Sequence, residues 1–269
     1  RTNAPVVAVE VRDERASGVV LGDGELIKAP LVVSGASPQT TLLNYVGARK
    51  LDTGFAKTVR SIRSAGVTAK LHLALDGLPD FVGLEQDDLM GRIVICPDVS
   101  YAERAFAPYK YGGISNEPIL DVMLPTLHDL SLAPIGQHVL TAIVQYVPRE
   151  IEGGWDAQRD GLMQRVIDTL AYFAPDLKDR IVAGELLTPP DIEAEFGVPN
   201  ADWHHAAFAL DQWGPGRPWP GARGSETPIA GLYLCGAGIH PGGGVTGIPG
   251  YLAAAAVTAE AKQRARGRP

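Results

Sequence analysis

Residues 231–254 read GLYLCGAGIHPGGGVTGIPGYLAA, and this stretch decides how the chain folds. The apolar run 229–235 predicts a β-strand, and the alanine-rich run 251–266 predicts a helix. Between them, the segment 236–250 holds seven glycines and two prolines. The sequence therefore predicts a strand, a glycine-rich loop and a helix in direct succession, with Thr246 as a cap and Pro249 in the first turn.

The glycine-rich loop has the composition of a ligand-binding turn. A backbone without Cβ atoms can approach a ligand closely, and the free N–H groups at a helix start attract negative charge. We therefore predict an anion or an electron-rich ring as the ligand; the alternative is a surface loop that binds nothing. The glycine spacing is not that of a dinucleotide-binding fingerprint, because no acidic residue follows about twenty positions later.

The first fifty residues predict a small antiparallel meander. The strands are expected at 5–11, 17–21 and 26–29, separated by polar turns. The short apolar run 31–33 then stops at Ser34-Gly35-Ala36-Ser37-Pro38, which is typical of a buried parallel strand.

The middle of the chain, from residue 57 to about 227, predicts a second kind of structure. Its strands are expected at 67–75, 92–96, 119–124 and 138–147, which suggests an antiparallel sheet. Helical spacing over 155–173 ends before Pro175, and a short helix is expected after Pro189. The run 213–224, WGPGRPWPGARG, predicts an irregular connection.

Composition narrows the classes of protein that this chain can represent. Hydrophobic residues make up 45% of it, as in globular proteins, and its net charge of −7 excludes a basic nucleic-acid binder. No apolar run approaches the roughly 18–20 residues of a membrane span, and no targeting signal is readable after Arg1. Cys96 and Cys235 are interpreted as reduced core thiols of a cytoplasmic protein, with a disulfide as the alternative.

Four separated motifs carry a resemblance to a known family. They are the stretch 231–254, TLHDLSLAPIGQHVL at 126–140, DQWGPGRPWPG at 211–221, and GVVLGDGELIKAPLVVSGASP at 18–38. Together they resemble the phytoene desaturase-like FAD-dependent oxidoreductases, and within that group the pyridine nucleotide-disulfide oxidoreductase domain-containing protein 2 type. The likeness covers nearly the whole chain.

The resemblance implies a fold class of α/β plus α+β. It implies the C-terminal part of a glutathione reductase-type FAD fold with an antiparallel-sheet substrate domain. Residues 1–56 and 229–269 would then form parts of the FAD-binding domain, and 57–228 the substrate domain. The family's N-terminal GxGxxG segment is absent from this sequence, so we expect a fragment that binds FAD weakly or not at all without its missing N-terminal half.

The resemblance also implies an activity and a set of site residues. The expected reaction transfers a hydride from a C–H bond of a small apolar substrate to flavin. His240 would contact the flavin or the substrate, or serve only as a structural residue. A non-catalytic interaction or scaffold module is the alternative function. The residues expected to bind the cofactor are Gly236, Ala237, Gly238, Gly243, Gly244, Val245, Thr246 and Gly247.

Two further groups are candidates for positions near the active site, and the resemblance places one of them, Gln212 and Arg217, in a stretch near the flavin. One of His204 and His205 would line the active site; a zinc site is disfavoured, because adjacent side chains point in different directions. Gln212 and Arg217 would lie close to the flavin without taking part in chemistry, or belong to a rigid crossover.

The remaining conspicuous residues are expected to have structural roles. Asp129 would cap a turn, and the basic residues from Lys262 to Arg268 would complement the negative end of the last helix. An aromatic group is interpreted as helix core and rim, with a lipophilic pocket or peripheral contact with a membrane as alternatives. Its members are Tyr101, Phe106, Tyr109 and Tyr111.

Overall fold

The computed structural model describes residues 1–267, which divide into two compact units. The first unit combines Arg1–Ala65 with the segment that starts at Asp202, and the second spans Gly66–Ala201. These limits differ from the domain boundaries at 57 and 228 that the resemblance implies, and the assignment of an FAD-binding domain and a substrate domain stays a prediction. The difference arises because residues that precede and follow the second unit in the sequence, such as Val59 and Trp219, pack in the core of the first unit.

The first unit begins with the predicted meander. Strands β1 (Val6–Arg12), β2 (Arg15–Leu21) and β3 (Leu26–Lys28) pair antiparallel in that order. A Cβ atom at Gly18 would lie 2.2 Å from the carbonyl oxygen of Ile27, so β3 can approach β2 only because glycine stands there.

A short strand and two helical segments follow. Strand β4 spans Val32–Ser34, a π-helix spans Thr40–Gly47, and helix α1 spans Thr53–Arg60. The side chain of Asp52 caps α1 by accepting a hydrogen bond from the N–H of Phe55 at 2.9 Å.

The second unit is built on a five-stranded antiparallel sheet with the order β6-β7-β8-β5-β9. Four of these strands confirm the sequence prediction. The edge strand β9 was missed because the run IVAGELL shows no alternation between buried and exposed positions. The strands are β5 (Thr68–Leu75), β6 (Ile93–Ile95), β7 (Leu120–Met123), β8 (His138–Gln145) and β9 (Ile181–Leu187).

Four helices accompany this sheet. They are α2 (Val99–Phe106), α3 (Trp155–Phe173), α4 (Leu177–Arg180) and α5 (Pro189–Phe196). The predicted bounds of α3 are confirmed. Its side chains Leu162, Val166 and Leu170 are fully buried in one core with alternate residues of β5 and β8. Prolines begin α5 and Thr188 forms a capping box with Asp191.

The chain then returns to the first unit. Strand β10 (Leu232–Leu234) pairs parallel with β4, and helix α6 spans Ile248–Ala265. The predicted strand and helix are therefore present, although the strand is shorter and the helix begins three residues earlier. The helix starts early because Pro249 fits its first turn, as predicted, and its N-cap is Gly247 rather than Thr246.

Short 3₁₀ turns fill the connections, including the run 213–224 that was predicted to be irregular. They span Ala48–Lys50, Asp88–Met90, Pro108–Tyr111, Pro125–Leu127, Leu130–Leu132, Pro199–Ala201, Leu210–Gln212 and Gly214–Gly216. In the part of the chain that the structure describes, no helix has the length and hydropathy needed to cross a bilayer.

Candidate functional site

The carboxyl ends of β4 and β10 lie side by side because the two strands are parallel. Leu234 is in register with Ser34, and the N–H of Cys235 donates to the carbonyl oxygen of Ser34 at 2.9 Å. Each strand continues into the same dipeptide, Gly35-Ala36 after β4 and Gly236-Ala237 after β10. Ligands of open α/β sheets bind beyond the carboxyl ends of neighbouring parallel strands, so this edge is the natural place for a site.

Backbone atoms meet closely where the two strands end. A Cβ atom at Gly236 would lie 2.4 Å from the carbonyl oxygen of Gly35, and one at Gly238 would lie 2.4 Å from the ring of Pro38. These glycines are therefore required by packing between the two strand ends. Sequence reasoning missed the contribution of Gly35 and Pro38, although the repeated Gly-Ala after two predicted strands was a signal that could have found them.

The second glycine cluster folds back onto the first. A Cβ atom at Gly243 would lie 3.1 Å from the Cβ of Ala237 and 3.1 Å from Nδ1 of His204. Gly242 has φ +111°, and a Cβ atom there would lie 2.8 Å from the ring of Phe208. The structure thus brings Gly243 together with the predicted 236–238 cluster.

The last part of the loop is open. Gly244, Val245, Thr246 and Gly247 are all exposed and lead directly into α6. Within residues 1–267, the backbone N–H groups of 243–247 donate no hydrogen bond. Free donors at the start of an 18-residue helix, next to glycines, form a surface suited to an anionic or electron-rich group.

The histidines occupy two different environments. His240 is exposed on the loop, and its role stays a prediction. His204 and His205 are half-buried behind the loop, and burial lowers the pKa of both imidazoles. Their Nδ1 atoms are buried and have no hydrogen-bond partner among the described residues. The two side chains pack against the glycines of the loop, at Gly236, Gly238 and Gly243, and the expectation that one of them lines the active site stays a prediction.

Gln212 and Arg217 lie behind the loop in the same unit. The side chain of Gln212 bonds to the N–H of Arg63 at 2.7 Å and to the carbonyl oxygen of Arg63 at 2.9 Å. Arg217 donates to the carbonyl oxygen of Ala237 at 2.8 Å. Gln212 therefore joins two connections, whereas Arg217 reaches the glycine-rich loop itself.

The two cysteines are free, as expected, but each is only half-buried rather than in a core. Burial raises the pKa of the Cys235 thiol, which stands at the start of the loop. Among residues 1–267, no group of three or more metal-ligating side chains is close enough together to hold a metal ion.

The expected structural roles are mostly confirmed. The carboxylate of Asp129 accepts a hydrogen bond from the N–H of Ser131 at 2.9 Å and caps that turn. The aromatic group does not form one cluster. Tyr101 is buried and donates to the carbonyl oxygen of Pro118, whereas Tyr111 is 90% exposed.

The other two aromatic residues, Phe106 and Tyr109, pack against each other with ring centroids 5.8 Å apart. Lys262 and Arg264 lie in the last turn of α6, as expected, and Arg268 lies outside the described residues.

Several known proteins are similar to this chain in sequence or in fold. No family model matches the sequence. The mouse pyridine nucleotide-disulfide oxidoreductase domain-containing protein 2 is 36% identical over 273 residues, covering 97% of this chain. The chain is a homologue of that oxidoreductase. The lycopene-forming phytoene desaturase of a Paracoccus species is also a homologue, with 26% identity over 94% of this chain. The resemblance inferred from the four motifs is confirmed.

This chain spans about half the length of these curated relatives, 47% of the mouse protein and 49% of the Paracoccus enzyme. A solved oxidoreductase from Methanosarcina mazei matches 95% of this chain and 48% of its own, with a TM-score of 0.58 and 18% identity. That likeness concerns the fold alone. The mixed α and β architecture with antiparallel sheets is confirmed, whereas its glutathione reductase-type topology stays a prediction.

Proposed function

We propose that this chain is the flavin-closing and substrate-binding half of an FAD-dependent oxidoreductase of the dehydrogenase or desaturase type. The observation that carries the proposal is the edge formed by β4 and β10. Two parallel strands end there in glycine turns, and the loop after β10 leads into the start of α6. Homology to a phytoene desaturase supports the class of reaction.

The residues at this edge fit a flavin nucleotide. Gly236 and Gly238 allow the two strand ends to pack closely, and the backbone N–H groups of 243–247, four of them on exposed residues, have no partners within the described chain. FAD, when bound, supplies an acceptor for a hydride from an apolar substrate. The chain's own contribution would be the free N–H donors, which hold negative charge beside the start of α6.

Helix α6 supports the existence of a covering partner. Of its 18 residues only Pro249 and Ala253 are buried, while Ile248 and Tyr251 are 43% and 75% exposed. An alanine-rich helix with so little buried surface leaves apolar area in water, which is unfavourable. The partner we propose is the rest of the polypeptide, an N-terminal FAD-binding half, because the curated relatives are about twice as long.

Purification of the complete gene product tests the proposal. We expect a yellow protein with flavin absorption bands that bleach when an apolar substrate is added without another electron acceptor. A colourless complete protein that does not take up added FAD would instead support the scaffold function. This chain alone is expected to retain little or no FAD.

A further inference from the structure

The most deeply buried charge in the first unit is Arg217. Its side chain is 2% exposed and is among the largest fully buried side chains in the described chain. It forms no ion pair within residues 1–267, and burial lowers its pKa, an effect that nearby Asp202 partly offsets. Burying a guanidinium without a paired carboxylate is unfavourable unless hydrogen bonds compensate for the lost water.

The compensation comes from three backbone carbonyl groups. Nη2 and Nε donate to the oxygen of Ala237 at 2.8 and 3.2 Å, and Nη1 donates to the oxygen of Ala206 at 3.2 Å. Nη2 also donates to the oxygen of His204 at 2.5 Å. One planar group therefore joins the first turn of the glycine-rich loop to the segment 204–206 behind it.

The same guanidinium supports the second glycine cluster. It lies over the ring of Phe208, 4.7 Å from the centroid, in a cation–π contact. Gly242 rests against that ring so closely that a Cβ atom would lie 2.8 Å from it, and 3.6 Å from Nε of Arg217. Both glycine clusters are thus held by contacts that meet at Arg217.

Lysine cannot reproduce this arrangement. Its ammonium is a single point with three donors, whereas the guanidinium presents planar donors in several directions. An apolar side chain of similar length would fill the volume and leave the three carbonyl oxygens without these bonds. The chemistry of arginine, rather than its size, is what this position uses.

We infer that Arg217 is the positioning residue that holds the glycine-rich loop in its ligand-binding shape. The inference deepens the proposed function and rests on it for the identity of the ligand. Arg217 acts through Ala237 and Phe208, because its own donors face inward.

Hydrogen–deuterium exchange on the complete gene product without FAD tests this role. Arg217→Met is expected to raise the exchange rate of the loop amides of Cys235 and Ile239, which donate to backbone carbonyl oxygens, at least tenfold, while peptides of residues 66–201 keep their protection. Arg217→Lys should give an intermediate rate. Arg223→Met is the matched control, since Arg223 lies in the same connection and is exposed, and it should change nothing.

FAD titration of the same variants links the loop to the ligand. We expect Arg217→Met to weaken FAD binding at least tenfold, with partial recovery in Arg217→Lys and none lost in Arg223→Met. Equal affinity and equal loop exchange in Arg217→Met and the parent would overturn the positioning role, even if the parent binds FAD. A parent that binds no FAD would defeat the proposed function, and loop exchange would then still decide the role of Arg217. If Arg217→Met does not fold, the loop exchange of Arg217→Lys decides.

Discussion

Two long helices of similar length are held in opposite ways. Helix α3 has 19 residues and buries four apolar side chains against the sheet of the second unit. Helix α6 has 18 residues and buries only Pro249 and Ala253. The first helix completes the core of its own unit, whereas the second leaves most of its surface for something else. Both units have a hydrophobic core, but the second unit buries one face of its long helix in that core, whereas the first unit leaves most of α6 exposed.

Polar contacts repeat the same contrast. Arg159 on α3 forms an ion pair with Asp191 on α5, within a unit that apolar packing already stabilises. The C-terminal half of α6 is attached chiefly through Glu260. This carboxylate accepts hydrogen bonds from Arg15 and Tyr233, and from Arg264 on the same helix. This cluster fixes the C-terminal half of α6 to strands β2 and β10 of the first unit, while the N-terminal end follows the open N–H groups of the loop.

The largest expected effect is on the core beneath α3. Leu170→Ala should lower the free energy of unfolding of the second unit by about 2–5 kcal/mol, because it leaves a cavity in a fully buried site. Urea denaturation followed by circular dichroism measures it. Ala255→Gly on the exposed side of α6 is the control, expected to cost only about 1 kcal/mol. Equal losses for both would remove the contrast between the helices.

A substitution at Tyr251 tests whether the exposed surface of α6 is covered in the complete protein. Tyr251→Asp should change the stability of this chain by less than about 0.5 kcal/mol, because the side chain is exposed. In the complete gene product the same change should cost about 1.5–3 kcal/mol, since the proposed partner would bury that ring. Thermal unfolding of both forms tests this. A matching small effect in the complete protein would show that Tyr251 remains in water.

Gly243 tests the loop that α6 presents. Gly243→Val should abolish FAD retention in the complete gene product, because the new side chain would collide with Ala237 and His204, each 3.1 Å from its Cβ position. Flavin absorbance per protein after gel filtration is the measurement, and far-ultraviolet circular dichroism checks that the second unit stays folded. Gly250→Ala, which has open space around its Cβ position, is the control. Unchanged flavin content in Gly243→Val would refute the assignment of the loop.

The smallest effect concerns the ion pair of α3. The guanidinium of Arg159, together with hydrogen bonds from Thr188, lowers the pKa of Asp191 to about 2. Because the folded pKa is depressed, this carboxylate stabilises the fold above its unfolded pKa of about 3.9, and the contribution is lost as the pH falls toward 2. After allowance for solvent screening we expect about 1 kcal/mol from this group.

The difference in unfolding free energy between the parent and Asp191→Asn should therefore be present at pH 7 and shrink between about pH 4 and pH 2. Urea unfolding at several pH values measures it. Asp179→Asn is the control, because Asp179 is exposed on α4 and has no ion pair in the described chain. A difference that is independent of pH would assign the effect of Asp191 to its cap rather than to its charge.

Local patterns in the sequence were sufficient for most elements. The spacing of apolar residues predicted α3 to the residue, and strand-like apolar runs predicted β5 to β8 closely, with clear alternation only in β8. Edge strand β9 was missed because its exposed residues carry no such pattern. The second compact unit ends at Ala201 rather than near residue 228, because Trp219 packs with the first unit, and nothing local in the proline-rich run shows this packing.

Local sequence patterns also identified some of the residues of the candidate site, but not the contacts between distant segments. Glycine and proline composition identified the loop 236–247, and His204 and His205 were noted beside it. The sequence pointed to Arg217 but assigned it no task, because burial of a charge is visible only once its surroundings are known. Its bond to Ala237 and its contact with Phe208 join segments that local patterns treat separately.

The amino-acid sequence by itself determined the strand, loop and helix at the end of the chain, because these depend on periodicity and on glycine and proline geometry within a few residues. Only the tertiary structure decided that β4 and β10 pair in parallel and that Gly35 meets Gly236. Those contacts join residues from opposite ends of the chain, and their free energy comes from packing and hydrogen bonds that form only when both ends are folded together.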